Sequence, residues 1–86
     1  MKICRVVGSI TATAKDPSLT GFKLMTVMEI GAPAADVFVA VDTVGAGVDA
    51  TVLVVCGSAA RLATATRRAP VDAVVVAILD APWPAL

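Results

Sequence analysis

The sequence predicts a mainly β protein: a small five-stranded, OB-like Greek-key barrel with one short α-helix. Three observations lead there. Five segments rich in Val, Ile and Thr are parted by clusters of Gly, Pro, Asp and Ser. A single stretch, residues 58–66, largely trades those residues for Ala, Arg and Leu. The resulting order, β-β-β-β-α-β, suits a partly open barrel, whereas a doubly wound sheet would need a helix after nearly every strand.

The elements follow in order. Residues 2–13 read as the first strand, with Gly8 marking a bulge or a close approach of another chain segment. "AKDPSLTG" at 14–21 is a polar turn punctuated by Pro17 and Gly21. Along 22–30 Phe22, Leu24, Met28 and Ile30 share one face and Lys23 and Glu29 the other, the two-residue period of a half-buried strand. Met25 and Met28 fall on opposite faces and read as core or interface filler. "GAPAAD" at 31–36 breaks the pattern, because Pro33 cannot donate to a ladder. Residues 37–43 and 51–56 form the third and fourth strands, and Ser58 is placed to cap the helix that follows. Residues 67–70 end that helix, and 71–80 form a fifth strand. The remaining "APWPAL", 81–86, is too rich in proline to extend it, so the barrel domain is expected over 1–80 with a short tail beyond.

Composition narrows the function. An 86-residue chain buries only about 60% of the surface its unfolded form exposes, yet 58% of its residues are hydrophobic. The surplus apolar surface calls for burial elsewhere. The longest apolar runs, 52–56 and 73–79, fall far short of the roughly 20 residues that span a bilayer, so the expectation is a cytoplasmic oligomer without a membrane segment. Seven basic and seven acidic side chains cancel, which leaves no field for nucleic acid. With aromatics at 3%, an OB-type binder of single-stranded nucleic acid or of a small nucleotide is the weaker alternative. Cys4 and Cys56 are too few for a disulfide framework or a thiolate metal site and read as buried, reduced thiols. There is no histidine and no tyrosine, so the commonest general base is missing. No catalytic residue, metal or cofactor is expected.

One motif demands a choice. Gly45, Gly47 and Ala50 spell G-x-G-x-x-A after an apolar run. A dinucleotide site needs the last position inside a helix whose amides face the pyrophosphate. Thr-Val-Leu-Val-Val follows instead, a β-branched run that favours strand. The loop therefore reads as a strand-to-strand connection in which Gly45 and Gly47 supply backbone angles that other residues avoid. Asp42 and Asp49 flank it, and carboxylates beside turns are expected to cap backbone amides rather than act as acid and base. Arg61 is expected in a structural ion pair. Trp83, between two prolines, has three open readings: loosely packed, docked on a neighbouring subunit, or docked on another partner.

Three separated stretches, "CRVVGSITATAKDPSLTGFKLMTV", "DTVGAGVDATVLVVCGSAAR" and "PVDAVVVAILD", resemble in order and spacing the EutN/CcmL family, the pentameric vertex proteins of bacterial microcompartment shells. The resemblance covers nearly the whole chain. It implies five copies of an OB-like barrel closing a corner of a polyhedral shell in the cytoplasm, with no cofactor and no catalysis. It also implies hexameric and trimeric shell proteins as partners. By the same resemblance Thr13, Ala14, Lys15, Gly45, Ala46, Gly47 and Asp49 lie at the edge against hexamers, and Gly57, Ser58, Ala59 and Arg61 lie near the fivefold axis and its pore. The chain departs from the family's usual G-A-G-x-G-E pattern: Asp49 and Ala50 stand where Gly and Glu are usual. Asp tolerates a left-handed backbone better than most residues, so the turn is expected to survive; for the acidic side chain missing at position 50 two readings stay open, Asp49 standing in one residue early or a vertex suited to a different set of hexamers.

Overall fold

Strands form where β-branched residues mass: β1 (Lys2–Ile10), β2 (Lys23–Glu29), β3 (Val37–Asp42), β4 (Thr51–Cys56) and β5 (Ala73–Ile78). The computed structural model describes residues 1–13, 15–31, 36–63, 66–67 and 69–80. The expectations placed on Ala14, Pro33 and the tail with Trp83 lie outside the described residues.

The strands close in the order β1-β2-β3-β5-β4, with β4 returning to β1. All neighbours are antiparallel except β3 and β5, whose parallel pairing joins Val41 to Val74 and Asp42 to Val75. The expected partly open barrel is thus closed, which leaves no free sheet edge among these strands. β1 stops at Ile10 instead of residue 13, because Ile10 with Leu24 is its last pair. β5 begins two residues later than expected and ends two earlier. Asp72 outside its start accepts the Gly57 N–H at 2.8 Å, and Leu79 past its end donates to the Thr51 carbonyl at 2.8 Å.

The interior is packed by Cys4, Val6, Met25, Val27, Ala40, Val52, Val54 and Val75. Met25 and Val27 therefore face inward, while Leu24 and Met28, on the face expected to be apolar and buried, stay half-buried outside. The reason lies at the strand ends. Lys23 and Glu29 share the inward parity of Met25 and Val27, but each stands at a mouth of the barrel where its charge reaches water or a partner. The Lys23 Nζ donates to the Ala46 carbonyl at 3.2 Å. At the other mouth Glu29 pairs with Lys2 at 3.7 Å, and the Lys2 ammonium lies 5.2 Å from the Phe38 ring centroid. Met25 and Met28 do take opposite faces.

Gly8 behaves as its position suggests. The β1–β2 register shifts between Val6 and Gly8, and a Cβ at Gly8 would meet the Thr26 Oγ1 at 2.9 Å.

The expected α-helix over 58–66 is a 3₁₀ helix, Gly57–Leu62. Ser58 does not cap it; Cys56 is the cap residue and contributes no side-chain hydrogen bond. Only Ala60 is buried within it, so no apolar stripe stabilises a longer helix, and isolated helices this short are marginal. The Thr66 hydroxyl also claims the Ala60 carbonyl at 2.6 Å, an acceptor an α-helix would use for itself. A second 3₁₀ turn, Pro17–Leu19, forms in the polar segment and is capped by Asp16.

Candidate functional site

The loop that leaves β3 is built around one carboxylate. Asp42, 8% exposed, accepts the Val44 and Gly45 amides on Oδ1 at 3.0 and 3.2 Å and the Ala46 amide on Oδ2 at 2.9 Å. Ala46 turns its methyl into the barrel and is fully buried. The Asp49 amide donates to the Val6 carbonyl at 2.8 Å and the Ala50 amide to the Gly47 carbonyl at 3.2 Å. Five loop amides are thus committed to acceptors within the chain, and Ala50 leads directly into β4. An anion-binding loop instead keeps its amides free and points them at the ligand. The geometry is that of a strand-to-strand connection, as the residues following Ala50 predicted.

Backbone angles in the loop are shared differently from the expectation. Gly45 takes φ +81°, and Asp49 takes φ 72°. Gly47 is not left-handed, and a Cβ there would meet nothing within 4 Å. Asp42 caps as expected. Asp49 serves through its backbone angle and its amide instead.

Of the residues expected at the edge, Thr13, Lys15, Gly45, Gly47 and Asp49 are exposed, while the Ala46 side chain is buried. Those expected near the axis, Gly57, Ser58, Ala59 and Arg61, are all exposed and are parted from the glycine loop by the length of β4, about 17 Å. The structure nevertheless joins the turn after β1 to that second group: Asp16 and Ser18 line one open cleft with Arg61, Ala69 and Pro70. The Ser18 hydroxyl and amide donate to Asp16 at 2.6 and 2.9 Å and hold its carboxyl below the usual range, the hydroxyl contributing more. Among the described residues Arg61 has no ion-pair partner, and the salt bridge there is Lys2–Glu29.

Cys4 is buried, but Cys56 is half-buried, contrary to the expectation for it; both are free thiols. Burial, then the neighbouring Glu29 and Cys56, push the Cys4 thiol up to about 11. Cys4 pairs with Val52, four residues before Cys56 on β4.

Sequence reasoning missed the outer surface of the barrel. Leu24 with Val41, Thr26 with Val39 and Met28 with Val37 alternate with the inward pairs of β2 and β3. They leave an apolar outer face on which Val37 and Val39 are exposed. Beside it, Leu19, Leu24, Val39, Val41, Pro70 and Val71 line a groove of about 190 Å³. A second exposed apolar group, Val7, Val44, Val48 and Ile78, gathers where the glycine loop meets the ends of β3 and β5. Residues 37–41 carry apolar side chains at both parities, and that was the available signal.

Among the described residues no helix is long and apolar enough to cross a membrane, and no group of three His, Cys, Asp or Glu side chains is placed to hold a metal ion.

The model of a family described as ethanolamine utilisation protein EutN/carboxysome matches residues 1–80. A carboxysome shell vertex protein, CcmL of Thermosynechococcus vestitus, is 48% identical over 83 residues, covering 93% of this chain and 84% of the relative. The solved structure of CcmL from a Nostoc species superposes with a TM-score of 0.86 at 45% identity, covering 93% of this chain and 89% of that one. The pentameric microcompartment shell protein GrpN of Rhodospirillum rubrum superposes with a TM-score of 0.85 at 38% identity, covering 99% of this chain and 100% of that one.

Proposed function

The chain belongs to the EutN/CcmL family, and from that premise we propose that it is a structural shell vertex protein, not an enzyme, which assembles as a homopentamer and caps the corners of a bacterial microcompartment. The observation that carries the reading is the likeness of nearly the whole chain to a pentameric shell protein. The surface supplies the physical reason. Its two exposed apolar groups, one on the outside of β2 and β3 and one around the glycine loop, differ in residues and in place. A patch that meets a different patch on the next copy makes a head-to-tail contact, which closes into a ring when the rotation permits. Five such contacts bury the surplus apolar surface that a single barrel leaves outside.

Finer assignments rest on the family pattern. Thr13, Lys15, Gly45, Gly47 and Asp49 face hexameric shell proteins across the pentamer edge, with Ala46 contributing backbone only, and trimeric shell proteins are further partners in the same shell. Gly57, Ser58, Ala59 and Arg61 face the fivefold axis. The barrel domain is residues 1–80, residues 81–86 form a tail, and the protein works in the cytoplasm within the shell. The alternative of an OB-type nucleic-acid or nucleotide binder gains no support: Lys2 and Lys23 are engaged at the barrel mouths and the glycine-loop amides have acceptors.

Native mass in non-denaturing solution tests the reading. Five chains are expected; a stable monomer at high concentration overturns it.

A further inference from the structure

We propose that Lys23 is a positioning residue for the glycine loop: with Asp42 it grips both polar ends of the Ala46 backbone and so fixes the exposed tip, residues 47–49, in one conformation for a partner to meet. That partner is a hexameric shell protein, an inference that rests on the vertex reading above. Lys23 on β2 and Asp42 on β3 are Cα partners across the ladder. Their opposite charges nevertheless do not pair, since the salt bridge among the described residues is Lys2–Glu29. Both turn to the loop backbone instead. The Asp42 Oδ2 accepts the Ala46 N–H at 2.9 Å, and the Lys23 Nζ donates to the Ala46 carbonyl at 3.2 Å.

Burial makes the Lys23 bond matter. Ala46 is 0% exposed, so its carbonyl has no bulk water to accept from, and a buried carbonyl without a donor is costly. Among the described residues the Lys23 ammonium is the donor it has. Gly47 comes next, and a Cβ there would meet nothing within 4 Å. Neither a side chain nor a neighbour at Gly47 therefore restrains rotation of the peptide that joins it to Ala46. The ammonium supplies that restraint from across the sheet. Past the tip the chain is fixed again, where the Asp49 amide donates to the Val6 carbonyl at 2.8 Å. Residues 47–49 stand exposed between these two anchors, and a loop held in shape before contact loses less conformational entropy on docking. Lys23 is itself exposed, so replacing its side chain leaves the interior intact.

Amide hydrogen exchange reads the grip directly. In Lys23→Met the Ala46 and Asp49 amides are expected to exchange about tenfold faster or more than in the wild type, with the amides of β4 unchanged. Lys23→Arg is expected to return them to near the wild-type rate, and Lys23→Ala replaces the methionine variant should that one aggregate. Equal rates in wild type and variant overturn the proposal. Co-expression with the hexameric shell protein of the same compartment reads the consequence. Lys23→Met is expected to stay pentameric by native mass but to enter shells several-fold less often, while Lys23→Arg enters as the wild type does. Lys15→Glu alters the same edge without touching the grip. If Lys15→Glu is excluded from shells and Lys23→Met enters normally, the positioning role is overturned and the edge reading stands. If both enter normally, the edge reading fails and the proposal with it. A Lys23→Met chain that no longer forms pentamers also overturns it, because the loop then serves the ring contact. A wild-type monomer overturns the vertex reading and the positioning role together.

Discussion

Gly45 and Gly47 stand two residues apart in one loop, yet the backbone asks different things of them. Gly45 sits at φ +81°, where a Cβ costs about 1–2 kcal/mol, whereas Gly47 has ordinary angles and open space around its missing side chain. Gly45→Ala is expected to lower the urea midpoint by an amount corresponding to about 1–2 kcal/mol, and Gly47→Ala to change stability by less than about 0.5 kcal/mol. Equal effects would show that the loop relaxes in solution. Cys4 makes the second prediction at this scale. Its thiol is held neutral by burial, with a pKa raised from 9.0 to about 11. Between those values the folded state binds a proton that the unfolded chain has released, so stability falls as pH rises. Unfolding measured from neutral pH to about pH 11 is expected to show full stability below about pH 9 and a decline above it. Cys4→Val should lack that part of the decline.

Among the elements, the 3₁₀ helix Gly57–Leu62 shows how one side chain sets a local conformation. Thr66 is fully buried and its hydroxyl donates to the Ala60 carbonyl at 2.6 Å and, more weakly, to Ala63 at 3.4 Å. Thr66→Val keeps the shape and strands a buried carbonyl, a loss of about 1–3 kcal/mol. Thr66→Ser keeps the bond and is expected to recover most of that loss. Thermal melts of the two variants check this, and equal melting temperatures would remove the hydroxyl from the account. The glycine loop follows the same logic with a stronger acceptor, since one ionised carboxylate gathers three amides and charged acceptors bond more strongly than neutral ones.

For the whole molecule the governing quantity is apolar surface. The interior of the barrel is filled with small and medium side chains, Val, Ala and Cys with Met25 as the largest, while Val37, Val39, Val44, Val48 and Ile78 are left exposed. Val37, 55% exposed on β3, sits in the patch argued to meet the next copy. Val37→Asp puts a charge into that contact without touching the interior. It is expected to yield monomers with an unchanged far-ultraviolet circular dichroism spectrum. A variant that remains pentameric would move the contact to another face of the barrel.

Local chemistry made much of this legible from residues alone. The bounds of β4 follow from its β-branched run, the bulge at Gly8 from a lone glycine within a strand, and the capping role of Asp42 from a carboxylate beside a turn. The connecting nature of the glycine loop follows from what comes after Ala50. Each of these depends on neighbours within a few positions. What only the tertiary structure decided depends on partners far along the chain. The facing of β2 was set by its registers with β1 and β3, because both of its faces carry apolar residues and alternation alone does not choose between them. The closure of the barrel came from β4 returning to β1. The 3₁₀ helix displaced an α-helix because Thr66 reached back to Ala60, and a hydrogen bond of that kind exists only once the segment is packed.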